Sequence, residues 1–272
     1  MSCSFIFQKN TKLTLLAATC WLFANGNCLS QEFAVKYERP SASSHLKLFK
    51  TLKRHDAVFY GDAVKFLNTL YRLPQSVKII VTECGSKNSR YNFEEMTIYI
   101  CYETLQEKVN DYSKSPKNNS EYERRVFKNS VFTFWHEIGH ALMHQLNLPV
   151  KTVSLNEEDL ADEFAVLSMI WREDDKWTNS IVTSSLHYKN KVLKRKNKGL
   201  SLPIYEYHSP DIDRYYKMNC LLYGMKPVSF ARLKKTLNEQ PKGAANCKSY
   251  YQVRNKYWSR ILKPFAKYEY FD

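Results

Sequence analysis

His136 and His140 flank Glu137 in a His-Glu-x-x-His arrangement, HEIGH. On a helix, four residues is a little over one turn, so the two imidazoles share a face and can address one divalent ion. Glu137, one position along, can then reach a water beside that ion. Two imidazoles fall short of a site, because zinc in a hydrolytic centre takes three protein ligands and keeps a fourth position for water. The third is expected from the acidic run 156–162, NEEDLAD, where Glu158 and Asp162 stand four apart on a face shared with the small Ala161 and Ala165. Glu158 is assigned as that ligand, with Glu157 the alternative. Asp162 is assigned as the acceptor that fixes the tautomer of a ligand imidazole. Helix capping accounts for Glu157 equally well, but not for an aspartate set among alanines in mid-helix. His144, one turn beyond His140, lies about 12 Å from His136 at 1.5 Å per residue. That is too far to share an ion, so it reads as a polar residue near the rim.

The elements that must position these groups are legible in the apolar spacing. Val131, Phe134, Trp135, Ile138 and Leu142 surround the motif, which predicts a buried helix over 121–146 followed by a loop at 147–155. Asn156 is a natural N-cap, and Glu157, Glu158 and Asp159 suit the positive end of the helix it opens. Upstream, Leu46, Phe49, Leu52, Val58, Phe59, Val64, Leu67 and Leu70 recur at helical spacing, broken near Tyr60-Gly61 and stopped by Pro74. Two β-branched runs, 77–81 (VKIIV) and 96–102 (MTIYICY), enclose a loop and are expected to pair antiparallel. Residues 31–44 read as an extended polar lead-in, with structure beginning near His45, and residues 111–120 as a linker. Further helices fit 174–192, 212–222, 228–239 and 247–263; in the last, Tyr250, Tyr251, Tyr257 and Trp258 read as core. With no internal repeat and no Gly/Ser or Pro linker, residues 31–272 form one expected domain. Its class is α+β, mostly helical, with a small antiparallel sheet before the metal-binding helix. The chain carries 7 Gly where average usage gives about 19, too few for a turn-rich all-β architecture. Apolar content of 44% with 25% charged residues excludes disordered, collagenous and polytopic membrane classes.

Residues 1–30 read as a secretory signal. Lys9 and Lys12 are its only charges, and 13–24 (LTLLAATCWLFA) is an apolar run shorter than the roughly twenty residues a bilayer span needs. Cleavage is expected after Gly26 or Ser30, which leaves no transmembrane segment in the mature chain and places it outside the cytoplasm, secreted or periplasmic. Cys3 and Cys20 depart with the leader, and Cys28 with the later cut. Cys84, Cys101, Cys220 and Cys247 remain for an oxidising compartment. Pairing Cys84 with Cys101 and Cys220 with Cys247 joins cysteines that are close in sequence and bracket apparent turns; no C-x-x-C spacing favours a thiolate metal site. The formal charge of +14 attracts acidic partners. Six positive charges fall within Lys189 to Lys198, KNKVLKRKNK. That stretch is either a solvated helix end or a patch for an anionic wall polymer, lipid headgroup or nucleic acid, though no aromatic residue inside it could stack on bases.

The pairing of a His-Glu-x-x-His helix with a Glu-x-x-x-Asp helix resembles the gluzincin class of zinc peptidases. More narrowly, the chain resembles a family of small, secreted bacterial proteins described as metallopeptidases. The resemblance runs from about residue 67 to 265 and is carried by Glu83-Cys84-Gly85, IYICYE (98–103), HEIGHALMH, EEDLADEFA, Tyr207-His208-Ser209 and DRYYKMNCLLYG. It implies a zincin-like fold, Zn2+ held by His136, His140 and Glu158, Glu137 as general base, and a peptide or protein substrate. It also implies that His208 donates to the oxyanion, with Tyr205, Tyr207 and Arg214 as alternatives; by itself a lone loop histidine reads as solvated. Tyr-rich and Lys-rich sequence and the basic insert before His208 depart from the family and leave specificity open. Strand 97–101 is expected to offer a sheet edge for an extended peptide. The rival readings are an exported basic binding protein with a structural metal site and a zinc amidase acting on cell-wall components.

Overall fold

The apolar residues around the motif do what their spacing requires: they bury its helix on nearly every side. The computed structural model describes residues 32–110, 116–148, 156–201, 209–239 and 243–267. The leader assigned to 1–30 lies outside the described residues, as do His208, Tyr205 and Tyr207. In chain order the elements are β1 (Phe33–Tyr37), α1 (Ser43–Arg54), a short 3-10 turn (Asp56–Val58), α2 (Tyr60–Leu70), β2 (Val77–Thr82), β3 (Arg90–Asn92) and β4 (Thr97–Cys101). Then follow α3 (Tyr102–Asn110), α4 (Asn119–Gln145), α5 (Glu157–Trp171), α6 (Asp175–Asn197), α7 (Asp211–Met225), α8 (Leu233–Leu237) and α9 (Cys247–Leu262). The fold is a mostly helical α+β domain with a four-stranded sheet.

That sheet is mixed, in the order β1-β2-β4-β3, and corrects the expected antiparallel pairing. β2 runs parallel to both neighbours, with Phe33 opposite Val77 on one side and Ile79 opposite Ile98 on the other. Only β3 and β4 are antiparallel, with Tyr91 opposite Ile98. The reason lies in the segment taken for a plain loop. Its residues Arg90–Asn92 form an outer strand, and a tight turn sends the chain back between β3 and β2. The Asn92 side chain accepts from the backbone N–H groups of Glu94 and Glu95, and Met96 takes a positive φ of 50° to close that turn. β4 is therefore an interior strand and offers no free edge; β3 is the edge on this side. The expected polar lead-in is itself a strand. β1 is held by the Asn68 amide, which bridges the backbone N–H and C=O of Phe33 at 2.8 and 2.9 Å. α1 starts at Ser43, and helix follows β4 directly as α3, an element the strand-like run 96–102 concealed. Residues 228–239 yield only the short α8.

Both expected disulfides are present, Cys84–Cys101 and Cys220–Cys247, with Cα separations of 5.4 and 4.9 Å. At the first, Gly85 adopts φ 67°, a left-handed conformation that suits glycine, and its N–H and that of Cys84 donate to the Glu103 carboxylate. At the second, α7 and α9 approach so closely that a Cβ on Gly224 would lie 2.1 Å from the carbonyl oxygen of Cys247. Gly224→Ala should therefore destabilise the protein by about 1–3 kcal/mol or more, since backbone must move; urea unfolding of the variant against wild type measures it. No helix among the described residues is long and apolar enough to cross a membrane.

Two features set the site. Asn118 caps α4 by accepting from Glu121 N–H, and Asn156 caps α5 by accepting from Asp159 N–H at 2.8 Å. Between the helices, a Cβ on Gly139 would stand 3.1 Å from the Ala161 Cα. The glycine inside the motif and the alanine beside Asp162 thus let α4 and α5 touch backbone to backbone, with Trp135, Phe164 and Trp177 packed alongside.

Candidate metal centre

This close crossing brings the predicted donors together. The Nε2 atoms of His136 and His140 are 3.3 Å apart, and Glu158 Oε2 lies 3.1 Å from the first and 3.4 Å from the second. A tetrahedral zinc with bonds of about 2.0–2.1 Å places its ligand atoms roughly 3.3–3.4 Å from one another. The three donors have that spacing, and their types, two imidazoles and a carboxylate, suit zinc. The other grouping of metal-type residues among those described, Cys84, Cys101 and Glu103, has both sulfurs joined in a disulfide.

The remaining imidazole nitrogens face carboxylates. His136 Nδ1 is 2.8 Å from Asp162 Oδ1, and His140 Nδ1 is 2.8 Å from Glu157 Oε1. Nδ1–H donation to these carboxylates turns each ring so that Nε2 faces the shared point. Asp162 occupies the position expected for it. Glu157, weighed above as an alternative ligand, instead orients the second histidine. Successive helical residues are turned by about 100°, so only one of the two adjacent glutamates can face the point itself.

Behind Asp162 stands Arg214 of α7. Its Nε donates to Oδ2 at 2.6 Å and Nη2 to Oδ1 at 2.8 Å, and its guanidinium lies 4.1 Å from the centre of the Tyr188 ring. Arg214 is thus committed to Asp162, which corrects its expected place among the oxyanion donors. Burial opposes ionisation of Asp162, but the Arg214 charge and the His136 contact outweigh it and hold the carboxyl well below the usual range. Burial likewise opposes protonation of His140. Glu157, Glu158 and Glu137 overcome it and push the imidazole up to about 10, while Asp162 and Glu158 raise His136 against the same opposition. A divalent ion competes with protons for these Nε2 atoms, so its binding releases protons and weakens in acid.

Glu137 is 5% exposed and lines the same cavity as the three donors, a cleft of about 1410 Å³. Arg90 and Tyr91 of β3, Lys108 of α3, and Tyr188 and Lys191 of α6 form other parts of its wall. His144 is at the rim, as expected, with Nδ1 3.0 Å from the Tyr91 hydroxyl and its ring beside Phe93. Ser209 donates to Asp159 Oδ2 at 2.8 Å and Lys217 to the same oxygen at 2.9 Å, which fastens α7 and the residues just before it to the first turn of α5. The contacts that Glu157 and Arg214 make here escaped sequence reasoning. Each depends on a partner from another helix, and only Glu157, within the acidic run, carried a signal.

The profile of the family described as "Putative metallopeptidase" matches residues 37–262, and the chain belongs to that family. No curated protein and no solved structure matches it.

Proposed function

We propose that the protein is an exported, zinc-dependent, gluzincin-like peptidase in which His136, His140 and Glu158 hold the ion and Glu137 is the general base. The observation that carries this reading is the convergence of two Nε2 atoms and one carboxylate oxygen within 3.1–3.4 Å, beside a buried glutamate in a cleft. Zinc at this point would supply Lewis acidity and bring the pKa of water down to about 7. Glu137 takes the proton from the attacking water and returns it to the leaving nitrogen. Glu157 and Asp162 keep both imidazoles in the tautomer the reaction needs. β3 is an outer strand of the sheet and its Arg90 and Tyr91 line the cleft, so an extended peptide can be held by strand addition along this edge. His208 is kept as the proposed oxyanion donor, Ser209 beside it being tied next to Glu158. Export accords with two disulfides and the leader-like first 30 residues. The exposed Lys194, Lys196 and Lys198 at the end of α6 suit an anionic surface outside the cell.

The mature chain should purify with about one zinc per molecule, digest a broad peptide library, lose that activity to a chelator and regain it with added zinc. Stoichiometric metal whose removal unfolds the chain, with no cleavage of any amide, would make it a binding protein instead. Cleavage confined to wall-derived amides would move it to the amidases.

A further inference from the structure

Resting on the peptidase reading, we infer that Lys108 is the residue through which the cleft reads its substrate, binding a carboxylate of the peptide close to the scissile bond. α3 leaves β4 without a loop and packs on α4, so Lys108, in its last turn, reaches across to the metal-binding helix. Its ammonium donates to Thr133 Oγ1 at 2.5 Å. Thr133 precedes Glu137 by four residues and so lies on the same face of α4, a little over one turn or about 6 Å away along the axis. Lys108, Thr133 and Glu137 all line the cleft.

What sets this lysine apart is its company. Lys87 at the cleft mouth pairs with Glu107 at 3.2 Å, and Lys191 with Asp211 at 3.4 Å. Lys108 pairs with no carboxylate among the described residues. The acidic groups whose fields reach it are already engaged: Asp162 is held by Arg214, and Glu137 is reserved for the proton. Burial, then the charges of Arg214 and Lys191, push the Lys108 ammonium down to about 8 against the pull of Glu137 and Asp162. It stays a cation at neutral pH, but one without a counterion on the wall of the cleft. A carboxylate entering the cleft is the partner that relieves this. The Thr133 contact ties the ammonium to α4 one turn before Glu137, in the same cleft, so an anion held there sits near the bond to be cut. Acidic side chains and a free chain terminus both supply that group.

The test compares hydrolysis of matched peptides carrying Glu, Gln or Lys on either side of the cleaved bond, each with a free and an amidated C-terminus. Wild type should favour carboxylate over amide by about tenfold or more in kcat/KM, carried mainly in KM. The Glu series against the terminal series tells a side chain from a chain end. Lys108→Met should erase the preference, and Lys108→Glu should turn it towards Lys peptides, with zinc content and circular dichroism unchanged. Equal cleavage of Glu and Gln peptides, free or amidated, by wild type overturns the assignment whether or not the variants fold, as does a preference that survives Lys108→Met. Should no peptide be cleaved, the peptidase reading falls separately. The same peptides titrated onto zinc-loaded Glu137→Gln protein then decide the matter: tighter binding of carboxylates that disappears with Lys108→Met sustains the inference, and indifference ends it.

Discussion

Glu137→Gln is expected to remove peptide hydrolysis while leaving the metal where it is. The substitution keeps the volume and the hydrogen-bonding reach of a side chain that is 5% exposed on α4, so the packing around it has no cause to change. It takes away only the basic oxygen. The convergence of His136, His140 and Glu158 does not involve Glu137, so zinc stoichiometry should match wild type. General base catalysis by a positioned group contributes about 10²–10⁴-fold, and kcat should fall by that factor while KM moves little. The limb of the pH profile that reports the base should vanish with it. His140→Ala makes the contrasting control, since losing a ligand should lose both metal and activity. If Glu137→Gln retained wild-type turnover with zinc bound, another group would be taking the proton and the proposed mechanism would be wrong.

The site was legible in the sequence to the extent that it is local. His136, Glu137 and His140 lie within five residues of one helix, and their geometry follows from helical pitch alone. Asn156 announces the start of the next helix, and Glu158 and Asp162 share a face of it, so the helix pair could be read without knowing how the two cross. The crossing distance was also encoded, in Gly139 and Ala161, but only coordinates show that these two residues meet. Strand direction was not legible, because it depends on what the connection does. The three residues Arg90–Asn92 sit among polar neighbours with no apolar run to mark them, yet they reverse the relation between β2 and β4. α3 was hidden for a different reason: Tyr102 ends an alternating run and begins a helix with no turn residue between. Arg214 and Lys108 meet their partners across helices, 52 and 25 residues away in sequence. Their meaning lies in partners that no single-chain pattern specifies.

Arg214 shows what such a distant partner is worth. Arg214→Met is expected to weaken zinc binding about 10–100-fold and to cost about 3–5 kcal/mol of stability, although the residue is no ligand. The methionine fills the volume under Tyr188 but leaves Asp162, 6% exposed, with its charge facing only His136. A carboxylate so placed either draws a proton or turns aside, and the tautomer of His136 loses its guide. Arg214→Lys should recover little, because one ammonium cannot make the two parallel contacts at 2.6 and 2.8 Å. The pH dependence has a definite sign. With its folded pKa depressed, Asp162 contributes stability that is present above its unfolded value of about 3.9 and is lost as pH falls towards the lower folded value. Without Arg214 the folded pKa rises, so the variant should gain less from Asp162 at neutral pH and its acid-unfolding midpoint should move upward. Urea unfolding at a series of pH values, with zinc competition at neutral pH, measures both effects. A double variant, Asp162→Asn with Arg214→Met, should cost less than the sum of the two single changes, since removing the charge removes the reason the arginine is needed. Strict additivity, or a zinc affinity untouched by Arg214→Met, would show that the arginine serves packing alone.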